Sequence, residues 1–123
     1  MAHPKAVFVV DDDPGVLRSV KRLLREYGFE AVLFETAEAL QSEARFDDAF
    51  CLILDVNLDR CSGIELRQRL AGCGLSLPVI FITGNDSDAT RAAALASGCL
   101  AYLTKPFQAR SLIDPIQKAA AMA

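Results

Sequence analysis

The chain has 123 residues, a formal net charge of −3, 52% hydrophobic residues and 24% charged ones. That length suits one domain with a packed core and leaves no room for a second core of ordinary size, so residues 1–123 are read as a single domain. The negative balance denies the chain the broad positive field that holds proteins on nucleic acid or anionic lipid, and neither partner is expected.

The opening residues MAHPKAVFVV lack the basic start, long apolar stretch and small-residue cleavage site of a secretory signal. No stretch reaches the ~18 apolar residues of a membrane span, and a cytoplasmic location is the expectation. The first apolar run, at 6–10, reads as a strand. It is followed by Val16, Leu17, Val20, Leu23, Leu24 and Tyr27, which recur on one face of a helix. Asp13 before Pro14 suits an N-cap and first helical position, and Gly28 suits the exit. Further short apolar runs lie at 31–34, 50–54, 78–82 and 100–103, giving five strands in all. Ser62 and Glu65 have the spacing of a capping box and open a helix toward Ala71. An alanine-rich helix covers 89–96 and closes at Gly98, and a last helix starts near Ala109. Pro115 falls inside that helix, where it removes a bond to the carbonyl of Ser111, so a kink or a late start is expected. Cys51, Cys61, Cys73 and Cys99 are never in zinc-site spacing and read as packing or incidental thiols.

Alternation of strand and helix implies a doubly wound α/β fold, a five-stranded parallel sheet with helices on both faces. The first, third and fourth runs are solidly apolar, as central strands should be, which leaves the second and fifth as edges. The order is then the flavodoxin-like 2-1-3-4-5, with its switch point between strands 1 and 3.

Ligands of such sheets bind beyond the carboxyl ends of the strands at the switch point. The residues immediately after the runs are Asp11, Asp12 and Asp13, then Asp55, then Thr83 and Gly84, and finally Lys105 before Pro106. Asp13 serves as a helix cap. Asp11, Asp12 and Asp55 crowd one crevice, and carboxylates so close together require a cation to stay ionised. Hard oxygen donors select Mg²⁺ or a similar divalent ion. A neighbouring lysine and hydroxyl complete a place for a phosphoryl group.

The segments VFVVDDDP, CLILDVNLDRCSG, VIFITG and YLTKPF resemble, in order and spacing, the successive motifs of CheY-like response-regulator receiver domains. The resemblance covers essentially the whole chain. It implies that Asp55 is the phospho-acceptor, that Asp11 and Asp12 organise Mg²⁺, and that the backbone carbonyl of Asn57 also ligates the metal. It further implies that Thr83 closes onto the phosphoryl group, that Lys105 pairs with its oxygens and that Gly63 is the turn glycine. By the same token Tyr102 is the aromatic switch, and the Lys105–Pro106 bond is cis. The implied function is that of a switch in a two-component phosphorelay, a phospho-acceptor more than an enzyme. Its donor would be a sensor histidine kinase or a histidine phosphotransfer protein. Its output would be a downstream protein or self-association through the fourth helix, fifth strand and fifth helix, where Ala89, Ala92, Ala93 and Ala96 offer small side chains.

Asp59 departs from the pattern by standing where receivers usually carry proline, and it brings a further carboxylate to the loop. Asn57 and Asn85 occupy positions that tune hydrolysis in the family. Two other readings stay open on the residues. One is a receiver-like module that works without phosphorylation. The other is a haloacid-dehalogenase-type phosphohydrolase, although its D-x-D after the first strand is replaced here by an acidic pair.

Overall fold

The computed structural model describes residues 5–123. Its elements are β1 (Ala6–Val10), α1 (Pro14–Glu26), β2 (Ala31–Phe34), α2 (Ala37–Glu43), a 3₁₀ turn (Phe46–Asp48), β3 (Ala49–Asp55), α3 (Gly63–Gly72), β4 (Val79–Thr83), α4 (Asp88–Ala96), β5 (Ala101–Thr104) and α5 (Ala109–Met122). All four strand pairings are parallel, and the order is β2-β1-β3-β4-β5. Every residue of β1, β3 and β4 is buried, whereas β2 and β5 are not, which is the division between centre and edges that the apolar runs imply.

Because side chains alternate along a strand, the sheet divides the core into two layers. Phe8, Leu54 and Phe81 point to one side and pack with Leu40 of α2, Leu66 and Leu70 of α3 and Ala94 of α4. Val7, Val9, Ile53 and Ile82 point to the other, against Leu17, Val20 and Leu24 of α1 and Leu112, Ile113 and Ile116 of α5. Each such side chain, fully buried, contributes about 1.5–3 kcal/mol, which fixes the register and hence where the strand ends lie.

Hydroxyl and carboxylate caps start four of the helices. Asp13 accepts from Gly15 N at 2.8 Å, Thr36 from Ala39 N at 2.9 Å, Ser62 from Glu65 N at 3.0 Å and Ser87 from Thr90 N at 3.1 Å. Gly28 and Gly98 take φ of 83° and 81° past the ends of α1 and α4, in the left-handed region that glycine enters without steric cost.

Three sequence expectations need adjusting. Strands β3, β4 and β5 each run one residue further than the apolar runs, so Asp55, Thr83 and Thr104 are last strand residues. Pro115 causes no late start, since α5 begins at Ala109 and continues across it to Met122. The second helix had no position in the sequence, and it occupies only seven residues after Thr36. Among the described residues no helix is long and apolar enough to cross a membrane.

Candidate functional site

The buried polar residues described in the molecule are Asp11, Asp55 and Thr83, and all three sit at one end of the sheet. Register explains their meeting. Val10 pairs with Leu54, so Asp11 and Asp55 leave adjacent strands side by side, and Thr83 ends the next strand over. Burial of unpaired carboxylates is expensive, so each must find donors.

Lys105, just after β5, supplies one shared donor. Its Nζ lies 3.0 Å from Asp11 Oδ2 and 3.2 Å from Asp55 Oδ2. The other oxygens turn to backbone, with Asp13 N donating to Asp11 Oδ1 and Asn57 N to Asp55 Oδ1, both at 2.9 Å. Burial, reinforced by the field of Asp55, leaves the Asp11 carboxyl above its ordinary pKa despite the bonds from Asp13 and Lys105. Burial opposes the charge on Lys105. Its bond to Asp11 and the fields of both carboxylates nevertheless outweigh that cost and hold the amine above its usual value. Asp12, one residue on, is exposed at the mouth of the crevice. One carboxylate oxygen from each of Asp11, Asp12 and Asp55 lies within 4.8 Å of the others. This all-oxygen set, whose mutual repulsion a divalent cation would relieve, fits Mg²⁺.

Asn57 reaches further than its backbone. Its Nδ2 donates to Thr83 Oγ1 at 2.7 Å, and Asn85 N donates to the same hydroxyl at 3.0 Å. The side-chain bond from Asn57 was not legible in the sequence, because it joins residues 26 apart through the turn of the β3–α3 loop. That loop is closed by a bridge between Asn57 and Ser62. Gly84 and Asn85 lie exposed beyond Thr83, and Asp59 is exposed on the β3–α3 loop. There it lines a cavity of about 380 Å³ with Thr36, Glu38, Arg60 and Cys61. Tyr102 is half-buried on β5. The Lys105–Pro106 bond is cis, and Asp13 caps α1 as its position implies.

Gly63 shows why the loop folds so tightly onto β3. Its N–H donates to Val56 O at 2.9 Å, and a Cβ there would overlap the carbonyl of Asp55 and sit 3.3 Å from Leu54 Cβ. The obstacle is backbone, which cannot rotate away. Gly63→Ala is therefore expected to cost about 1–3 kcal/mol, as overpacking does, and to displace Asp55. Urea unfolding checks the first effect. Unchanged stability would mean that the loop yields freely.

A doubly wound parallel sheet whose buried polar groups converge beyond its central strands belongs to the flavodoxin-like class. The family model for the response regulator receiver domain matches residues 7–117, and the chain belongs to that family, the receivers of two-component response regulators. Nodulation protein W of Bradyrhizobium diazoefficiens is 36% identical over 110 residues, which are 89% of this chain and 48% of that protein. Response regulator protein TmoT of Ectopseudomonas mendocina is 32% identical over 117 residues, covering 95% and 53% respectively. Among solved structures, a response regulator receiver protein from Burkholderia phymatum is 38% identical with a TM-score of 0.80, and the match covers 97% of each chain. The chain spans about half the length of the curated relatives it matches. Family membership sets aside the phosphohydrolase alternative.

Proposed function

We propose that the chain is a phospho-acceptor switch in which Asp55 receives a phosphoryl group from a phosphohistidine. The observation that carries this reading is Lys105 bridging Asp11 and Asp55 where the described buried polar residues gather. An Asp55 oxygen attacks phosphorus in line, the O–P bond forms, the P–N bond breaks, and the imidazole leaves with a proton from solvent. The donor is then a sensor histidine kinase or a histidine phosphotransfer protein. Lys105 already points at Asp55, so its charge is in place to offset the phosphoryl oxygens without reorganisation.

Asp11, Asp12 and Asp55, with the carbonyl of Asn57, would hold Mg²⁺. Bound there, the ion supplies charge neutralisation for the transferring oxygens. After transfer the acceptor carries about −1.5 to −2 charges. Thr83 is then drawn from Asn57 toward the new oxygens, and the strain passes along β4 and β5 to Tyr102. On the resulting face Ala89, Ala92, Ala93 and Ala96 are all exposed, and only Ala94 of α4 is buried. Output through α4, β5 and α5 is consistent with such a surface, by a downstream protein or a second copy. The chain assists its own phosphorylation without acting as a turnover enzyme, and a cytoplasmic setting fits that role.

Incubation with a small phosphodonor and Mg²⁺ should place one acid-stable, base-labile phosphoryl group on the chain, and its absence would reject the reading. Metal binding has its own test. Mg²⁺ at 100 times its dissociation constant should stabilise the fold by about 2.7 kcal/mol. Asp12→Ala should lose most of that gain. Asp13→Ala should keep it while losing about 1 kcal/mol of baseline stability with its cap. Thermal melts with and without Mg²⁺ separate the two, and equal loss of the Mg²⁺ effect in both variants would overturn the assignment of the ligands.

A further inference from the structure

Three side chains from three successive segments close on one another beside the crevice. Tyr102 of β5 donates its hydroxyl to Asp86 Oδ1 at 2.8 Å, and Arg91 of α4 donates from Nη2 to Asp86 Oδ2 at 2.8 Å. The Arg91 guanidinium also lies over the Tyr102 ring, 5.0 Å from its centre. Each partner therefore touches both others. Asp86 belongs to the short loop that follows Thr83, and Asn85 of that loop donates its N–H to the Thr83 hydroxyl. Only Gly84 and Asn85 thus separate the hydroxyl buried in the crevice from the carboxylate that holds the phenol.

We propose that Asp86 and Arg91 are positioning residues that hold the Tyr102 hydroxyl at the surface and so oppose its inward movement. The proposal rests on the reading of Asp55 as phospho-acceptor and adds to it a restraint on the aromatic ring. The aromatic switch has a latch. Turning the ring inward gives up a hydrogen bond to a charged acceptor and the guanidinium stacked on the ring. Arg91 acts on the phenol twice, directly over its face and indirectly by fixing the Asp86 carboxylate. Displacement of the 83–86 loop when Thr83 moves would shift Asp86 and release the ring. Such a connection joins the crevice to α4 and β5 through covalent chain and three contacts. Asp86 and Arg91 are exposed and Tyr102 is half-buried, so solvent limits the restraint to a bias of about three- to tenfold in favour of the resting arrangement.

The test is a double-mutant cycle over Asp86→Ala and Tyr102→Phe in the full chain. The first readout is apparent affinity for beryllofluoride with Mg²⁺, measured by calorimetry, because a ligand that prefers the switched state binds more tightly when that state is less opposed. Asp86→Ala should tighten binding about three- to tenfold. Asp86→Asn, which still offers the phenol an acceptor, should recover part of the restraint. In the Tyr102→Phe background, where only the guanidinium on the ring remains, Asp86→Ala should have a clearly smaller effect. Equal affinity in Asp86→Ala and the parent, or an equal change with and without the hydroxyl, overturns the proposal. The second readout is the side-chain rotamer of Tyr102 by NMR without any phosphodonor. Its redistribution in Asp86→Ala is expected, and an unaltered rotamer counts against the latch. If the parent chain binds no beryllofluoride, the reading of Asp55 fails, and the rotamer measurement still decides the latch.

Discussion

Asp55→Asn is expected to take up no phosphoryl group from a small donor, whatever the Mg²⁺ concentration. The amide cannot form the acyl phosphate, and Asp11, the other buried carboxylate described, is wholly enclosed, with no exposed side-chain surface against 6% for Asp55. The variant should still fold, because Asn keeps an oxygen for the Asn57 N–H and relieves one of the clustered charges. Autoradiography of acid-precipitated protein, with circular dichroism as the control for folding, measures both. Labelling equal to the parent would place the acceptor elsewhere.

Lys105→Ala is expected to slow labelling on the order of 10²-fold, the scale on which enzymes lose rate when a preorganised electrostatic donor is removed. It should also cost stability. The Lys105 side chain is 24% exposed and its amine bonds two carboxylates that are almost wholly buried, so its loss strands both. Removing one partner of a buried pair costs about 3–5 kcal/mol, and the partial exposure reduces that to about 2–3 kcal/mol. Mg²⁺ should restore part of this stability, because a cation shared by Asp11, Asp12 and Asp55 replaces the lost charge. Stopped-flow phosphorylation and thermal melts in chelator and in Mg²⁺ separate the two effects. A variant that labels at the parent rate would show that Lys105 pairs the resting carboxylates without assisting transfer.

The strands were legible because hydrophobic burial dictates their composition. Continuous runs such as VFVV and CLIL exclude water on both faces, and the weaker edge runs gave themselves away by contrast. The same criterion cut β3, β4 and β5 short, because it stops at the first polar residue. Asp55 and Thr83 keep strand backbone while carrying the polar groups of the crevice. Helix α1 was legible from its periodicity and from Asp13, whereas α2 buries little beyond Ala37 and Leu40 over seven residues and offers no period to read.

The crevice was legible at Asp11, Asp12, Asp55, Thr83 and Lys105 because strand ends converge whenever the sheet order is right. What the sequence did not reveal lies in side-chain contacts across loops. The amide of Asn57 on Thr83 and the ring of Asp86, Arg91 and Tyr102 depend on loop conformation, and no periodicity encodes that. Asp59 stands out in the sequence because the family resemblance implies proline there, and it is exposed on the β3–α3 loop.

The central claim is that phosphoryl transfer occurs at Asp55, and its most direct test is to locate the modified residue in the unmutated chain. Borohydride reduction after incubation with a small phosphodonor and Mg²⁺ converts an acyl phosphate to homoserine, which peptide mass mapping assigns to a position. Reduction confined to Asp55, and lost when the metal is chelated, is the predicted result; reduction at another residue, or none in the presence of Mg²⁺, would contradict the account.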